Sequence, residues 1–153
     1  MDRYYLAYGS NLNLEQMKLR CKEATRVGKA TIKDYRLLFK GSPYRSHLTI
    51  ESEIGYIVPV GVFKISSNDE YHLDMYEGYP SYYYKKDMKV DVLFDDGTYK
   101  SLDCFCYIMQ DNNNIGIPTD DYINVVLQGY DDFGFDKTLI YDALLYSKNM
   151  MHK

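Results

Sequence analysis

Tryptophan is absent from this chain, and proline, cysteine and histidine are sparse, at four, three and three among 153 residues. Each shortage closes off a class of function. Cys21, Cys104 and Cys106 are an odd set without disulfide-scaffold or metal-ligand spacing, which excludes a cystine framework and suits a reducing compartment. His47, His72 and His152 are scattered, and no His/Cys/carboxylate cluster has metal-site spacing, so no metal is expected. Positive charge is not in excess: the formal net charge is -4, and no Lys/Arg run offers a field to a phosphate backbone, which argues against nucleic acid. No apolar window approaches the length that spans a bilayer. The start, with Asp2, Arg3 and a glycine at position 9, lacks the apolar region of a signal peptide. A cytoplasmic chain with no membrane partner is expected.

What is present is a chain that is 46% hydrophobic, long enough for one core and too short for two ordinary domains. Residues 1–153 therefore read as a single domain. Its 18 tyrosines could suggest base-stacking platforms, but without basic interleaving they read as sheet faces and core edges. A tyrosine-rich surface is compatible with a monomer or a weak homodimer.

Residues 4–7 read as an opening strand, broken at Gly9-Ser10-Asn11. A helix capped by Asn13 follows, with Glu15 in its first turn, Gln16 placed to close a capping box, and Leu14, Met17 and Cys21 as its buried stripe. The pattern over 24–39 is strand-like and is interrupted at Gly41-Ser42-Pro43. Residues 46–50 and 58–65 read as two further strands, with Pro59 at an edge or a strand start. Ser67-Asn68-Asp69-Glu70 fits a capping box opening a helix through Leu73 and Tyr76, and Gly78 ends it. Met88, Val90, Val92 and Phe94 alternate with polar residues up to the hairpin signal Asp96-Gly97, and a partner strand covers 99–109. Residues 110–114 are a loop; Pro118-Thr119 starts a third helix, and a last one spans about 136–146 after a break near Gly134. Strands inside and helices outside make an α+β domain.

Two places carry chemistry. In Tyr8-Gly9-Ser10-Asn11-Leu12, glycine permits a conformation in which successive amides converge, and the helix start behind it adds donors and a positive dipole end. One carboxylate or carbonyl oxygen would suit it better than a polyphosphate, because the loop has one glycine and no lysine. An ordinary capped strand-to-helix turn has the same composition. The second place is Glu77, in the last helical turn before Gly78, where the dipole disfavours a carboxylate by roughly 0.3–1 kcal/mol when exposed. Glu77 lies four residues after Leu73, so it borders the buried stripe, and desolvation there would raise its pKa toward that of a general base. A solvated glutamate at a helix end fits the same pattern.

Together, in this order, the two segments resemble the γ-glutamylcyclotransferase-like superfamily, which includes AIG2-like proteins and γ-glutamylamine cyclotransferases. The likeness rests on Tyr8-Gly9-Ser10-Asn11-Leu12 and on Leu73-Asp74-x-Tyr76-Glu77-Gly78-Tyr79-Pro80. It takes in Asp34-Tyr35-Arg36-Leu37, Phe39 and Pro118-Thr119-x-x-Tyr122-Ile123, and so covers nearly the whole chain. The resemblance implies a small closed mixed β-barrel with flanking helices and a cavity at its mouth. It implies cyclisation of a γ-glutamyl amide to 5-oxoproline and a free amine, with no cofactor and a small γ-glutamyl molecule as partner. Glu77 matches the family's catalytic glutamate, and Tyr8, Gly9, Ser10, Asn11 and Leu12 match its substrate-binding loop. Family members usually place a tyrosine before basic residues after the Glu-Gly turn; here Tyr82, Tyr83 and Tyr84 all precede Lys85 and Lys86, and Tyr83 is taken as the match. The same pattern without turnover would be an AIG2-like small-molecule-binding protein, and the glycine loop alone would suit a small-anion or nucleotide module.

Overall fold

Alternating and continuous apolar runs build five strands, and the computed structural model describes residues 2–152. In chain order the elements are β1 (Arg3–Ala7), a 3-10 turn (Ser10–Leu12), α1 (Leu14–Arg20), β2 (Thr25–Ser42) and β3 (Arg45–Ile65). There follow α2 (Ser67–Glu77), β4 (Tyr83–Phe94), β5 (Tyr99–Met109), α3 (Asp120–Phe133) and α4 (Thr138–Met151). The strands close a barrel in the order β1-β3-β2-β4-β5. Neighbours are antiparallel except β1 and β5, which run parallel through Tyr5 and Phe105, so the barrel is mixed.

Leu6, Phe39, Ile50, Val58, Val60, Val62 and Phe105 are fully buried in the core. Each such side chain stabilises the fold by about 1.5–3 kcal/mol relative to exposure. β2 and β4 meet over only two residue pairs, Gly28 with Phe94 and Lys29 with Leu93. Glycine is required at that seam, because a Cβ on Gly28 would sit 2.2 Å from the Leu93 carbonyl oxygen. α4 packs on β2, where the Arg36 guanidinium lies 4.0 Å from the ring centre of Tyr146.

Four sequence expectations are corrected. Residues 46–50 and 58–65 belong to one strand, β3, rather than two. Pro59 lies inside it, but β1 stops pairing at Gly61, so at Pro59 only β2 lies alongside. The cap of α2 is Ser66 and not Ser67: the Ser66 hydroxyl accepts from the Asp69 amide at 3.1 Å, and Asp69 accepts from the Ser66 amide at 3.1 Å. Glu70, which would have closed a box on Ser67, is bound instead by Arg3 and Lys85. In α1 the Asn13 side chain caps the Gln16 amide as expected, but the Gln16 side chain turns away to accept from Arg20 at 3.1 Å. The last helix begins at Thr138 and runs on to Met151.

Candidate active site

The candidate site forms where β1 leaves the barrel and β4 enters it. α2 is ended by Gly78, whose left-handed backbone (φ 64°) lets its amide bond the Asp74 and Met75 carbonyls. That stop leaves Glu77 on the wall of a cavity of about 140 Å³, together with Tyr76. The opposite contributions come from Tyr5, Tyr8, Gly9 and Ser10 around the end of β1, His47 and Leu48 of β3, Tyr82 and Tyr83 at the start of β4, Tyr107 of β5 and Tyr122 of α3. Seven of the lining residues are tyrosines, so the cavity is walled by aromatic faces and hydroxyls.

The glycine loop supplies less than its pattern promised. Gly9 has φ -122°, outside the left-handed region, so no positive φ calls for glycine there. A Cβ there would stand in ordinary contact, 3.4 Å from the Tyr122 hydroxyl and 3.5 Å from Leu48, two residues of the cavity wall. The Leu12 and Asn13 amides are held by the Gly9 and Ser10 carbonyls at 3.0 and 3.1 Å. The start of α1 faces away as well, since the Leu14 amide donates to Asp132 at 3.0 Å. Of the loop, Gly9 and Ser10 line the cavity. The Leu12 side chain is core, packed under Gly61 and Gly129 rather than on the cavity. Asn11 is buried just behind the wall, its Nδ2 donating to the Tyr5 hydroxyl at 2.9 Å and reaching Glu77 Oε1 at 3.5 Å.

Electrostatics single out one group. Burial pushes the Glu77 carboxyl up to about 7, with the Arg20 charge pulling the other way. Burial also raises the phenols of Tyr5, Tyr8 and Tyr83, so they stay protonated, and it lowers His47, which stays neutral. Among the lining residues Glu77 is the one carboxyl, and burial brings it into the neutral range. Several hydroxyls are already committed: Tyr8 donates to the Tyr107 carbonyl at 2.6 Å, and Tyr107 donates to Asp74 at 2.6 Å. His47 Nδ1 meets the Tyr82 hydroxyl at 3.1 Å, and the Ser10 and Tyr76 hydroxyls meet at 3.2 Å.

The structure thus brings Tyr8, Gly9, Ser10, Tyr83 and Glu77 to one cavity, with Asn11 behind Glu77 and Leu12 in the core. Of the consecutive tyrosines, Tyr82 and Tyr83 both line the cavity. His47, Tyr5 and Tyr107 were not nominated, because each lies on a strand where an aromatic or polar residue needs no further reason. Among the described residues no group of His, Cys, Asp and Glu gathers as a metal site would require. No helix among them is long and apolar enough to cross a membrane.

The family model described as gamma-glutamyl cyclotransferase, AIG2-like matches residues 5–124, which holds every lining residue of the cavity. The chain belongs to this family. A solved gamma-glutamyl cyclotransferase superposes with a TM-score of 0.74 at 25% identity, covering 99% of this chain and 87% of that one. An uncharacterised Homo sapiens protein, loc79017, gives 0.73 at 25% identity over 98% and 86%. At 11% identity a yeast gamma-glutamyl cyclotransferase specific to glutathione shares the fold, with a TM-score of 0.65 over 97% and 96%. No sequence among the curated proteins matches. Membership in the gamma-glutamyl cyclotransferase family gives the tyrosine-walled cavity its frame.

Proposed function

We propose that this protein cyclises a small γ-glutamyl amide, releasing 5-oxoproline and a free amine, with Glu77 as its proton shuttle. The observation that carries the reading is a single carboxyl, raised to about 7, on the same small cavity as Gly9 and Ser10. In the reaction the substrate's α-amine attacks its own γ-carbonyl carbon. The new C–N bond closes a five-membered ring, and the old C–N bond to the leaving amine breaks. Glu77, ionised, takes a proton from the α-ammonium and later delivers it to the departing nitrogen, so base and acid are one group; the second proton that the attacking nitrogen loses on becoming a lactam N–H leaves with the released amine as its ammonium. Proximity within one substrate molecule supplies much of the rate, so no nucleophilic side chain is needed. Ser10 acts here as a wall group, its hydroxyl engaged with Tyr76.

The amides of Gly9, Ser10 and Asn11 would receive the substrate carboxylate or the developing oxyanion. The tyrosine faces would exclude water and accept the α-ammonium before it is deprotonated. Three free, buried cysteines agree with a cytosolic setting.

The test is a panel of γ-glutamyl amino acids, γ-glutamyl amines and glutathione, with 5-oxoproline followed by mass spectrometry. Glu77→Gln, nearly the same in volume, is expected to keep the fold and to lose turnover by orders of magnitude. Undiminished 5-oxoproline from that variant would refute the proposal. Saturable binding without any product, in the unaltered protein, would favour an AIG2-like binder.

A further inference from the structure

Arg20 does not line the cavity, yet it touches two groups that line it, Ser10 and Tyr76, and Asn11 just behind its wall. Its guanidinium stacks 3.6 Å from the centre of the Tyr76 ring, donates to Ser10 Oγ at 3.4 Å, and makes a short bond to Asn11 Oδ1. The remaining arm is held by Gln16 Oε1 at 3.1 Å, one helical turn back on α1. A guanidinium has donors and no acceptor, so only the Oδ1 side of Asn11 can face it. That fixes the amide orientation: the Nδ2 side must point inward, to the Tyr5 hydroxyl at 2.9 Å and to Glu77 Oε1 at 3.5 Å.

From this geometry we infer that Arg20 is a positioning residue, which locks the Asn11 amide with its donors toward Glu77 and sets the pH range over which that carboxylate is ionised. Two effects act in the same direction. Arg20 is a cation near the carboxylate, and the locked Asn11 presents an N–H to it rather than a carbonyl oxygen. Without Arg20 the amide is free to turn over, presenting an oxygen that only a protonated Glu77 can satisfy. The other titratable groups on the cavity wall are Tyr76, the His47 imidazole, which burial keeps uncharged, and phenols that burial keeps protonated: Tyr5 and Tyr8, Tyr82 and Tyr83, Tyr107 and Tyr122. Among the described residues Arg20 is therefore the one cation whose charge lowers Glu77, and burial alone would push it higher.

The inference deepens the reading of Glu77 as proton shuttle and rests on it for its effect on turnover. Its test has one readout that needs no turnover. Carboxyl 13C NMR of glutamate-labelled protein gives the Glu77 midpoint, expected to rise by about one unit in Arg20→Met. Arg20→Lys keeps the charge and not the simultaneous bonds, so an intermediate midpoint is expected; it also serves if the Met variant does not fold. In the kcat profile the rising limb should move by the same amount, making Arg20→Met roughly fivefold slower at pH 7 and equal to the parent near pH 9. KM should change little, because Arg20 lies outside the cavity. Unchanged midpoints in both variants, or an equal loss at pH 7 and pH 9, would overturn the inference. A shifted midpoint with no 5-oxoproline from any variant would support the Arg20, Asn11 and Glu77 chain while removing the proposed reaction.

Discussion

The Tyr83 hydroxyl donates to the carbonyl of Leu48 at 2.7 Å, joining β4 to β3 although the two strands are not neighbours in the barrel. The Leu48 amide in turn donates to the Tyr122 hydroxyl at 3.1 Å. Leu48 pairs with Phe39 of β2 on one side, but β1 ends its pairing at Gly61, so no strand serves the other side. Two tyrosine hydroxyls stand in for the missing neighbour. The wall of the cavity is therefore also what completes the hydrogen bonding of the barrel's mouth.

Replacing Tyr83 with Phe should leave the buried Leu48 carbonyl without its partner, at a cost of about 1–2 kcal/mol. Urea unfolding would show a lower midpoint with an unchanged slope. A wild-type midpoint would mean that water reaches this carbonyl and that the mouth is wetter than described.

The cap of α2 gives a second test. Ser66→Ala removes the acceptor for the Asp69 amide and should cost about 1 kcal/mol. Asp69 is 1% exposed and also accepts from the Glu23 amide at 3.2 Å, so Asp69→Ala should cost more than Ser66→Ala. Ser66→Ala also loses the bond from its hydroxyl to Glu23 Oε1 at 2.7 Å, which is exposed, so equal losses in thermal unfolding would argue that the bond from the Glu23 amide to Asp69 adds nothing beyond it.

The misplaced cap shows where sequence reading ends. Ser66 and Ser67 each have an acidic residue three positions later, so local pattern cannot choose between them. Arg3 and Lys85, distant in sequence, draw Glu70 away and leave Asp69 to close the box. β3 was read as two strands for a different reason: residues 52–57 are all exposed, so that stretch has no buried face and no alternation to detect. The β4–β5 hairpin, by contrast, was legible from Asp96-Gly97, where Gly97 has φ 91°. At the site, Glu77 was legible because a carboxylate before a C-cap glycine is locally out of place. His47 and the ring of tyrosines were not, since only barrel closure brings residues so far apart in the chain to one cavity.

A third test concerns what lies behind the loop. A Cβ on Gly129 of α3 would stand 2.6 Å from the Asn13 nitrogen and 2.7 Å from the Leu12 carbonyl carbon, and backbone cannot yield as a flexible side chain can. Gly129→Ala should destabilise by about 1–3 kcal/mol and displace the turn that carries Ser10 and Asn11. Turnover measured well below the melting temperature should therefore fall further than the folded fraction does. A fall that only tracks the folded fraction would mean that α3 supports the loop without setting its position.

The last prediction follows from Glu77 being buried with its pKa raised from 4.5 to about 7. Below about pH 4.5 the carboxyl is protonated in both folded and unfolded chains, and its burial carries no charge penalty. As pH rises toward 7 the unfolded chain ionises while the folded one holds its proton, so the unfolded state binds fewer protons and stability falls. Above pH 7 the loss is complete, at most about 3 kcal/mol for a shift of this size. Gln cannot ionise, so Glu77→Gln should match the parent near pH 4 and exceed it in unfolding free energy at pH 8, with the gap opening between these values. Paired urea titrations at the two pH values measure that gap. A parent more stable than the variant at pH 8 would mean that the ionised carboxylate gains more from Arg20 and Asn11 than it loses by leaving water, and the proton shuttle would then lack its neutral-range pKa.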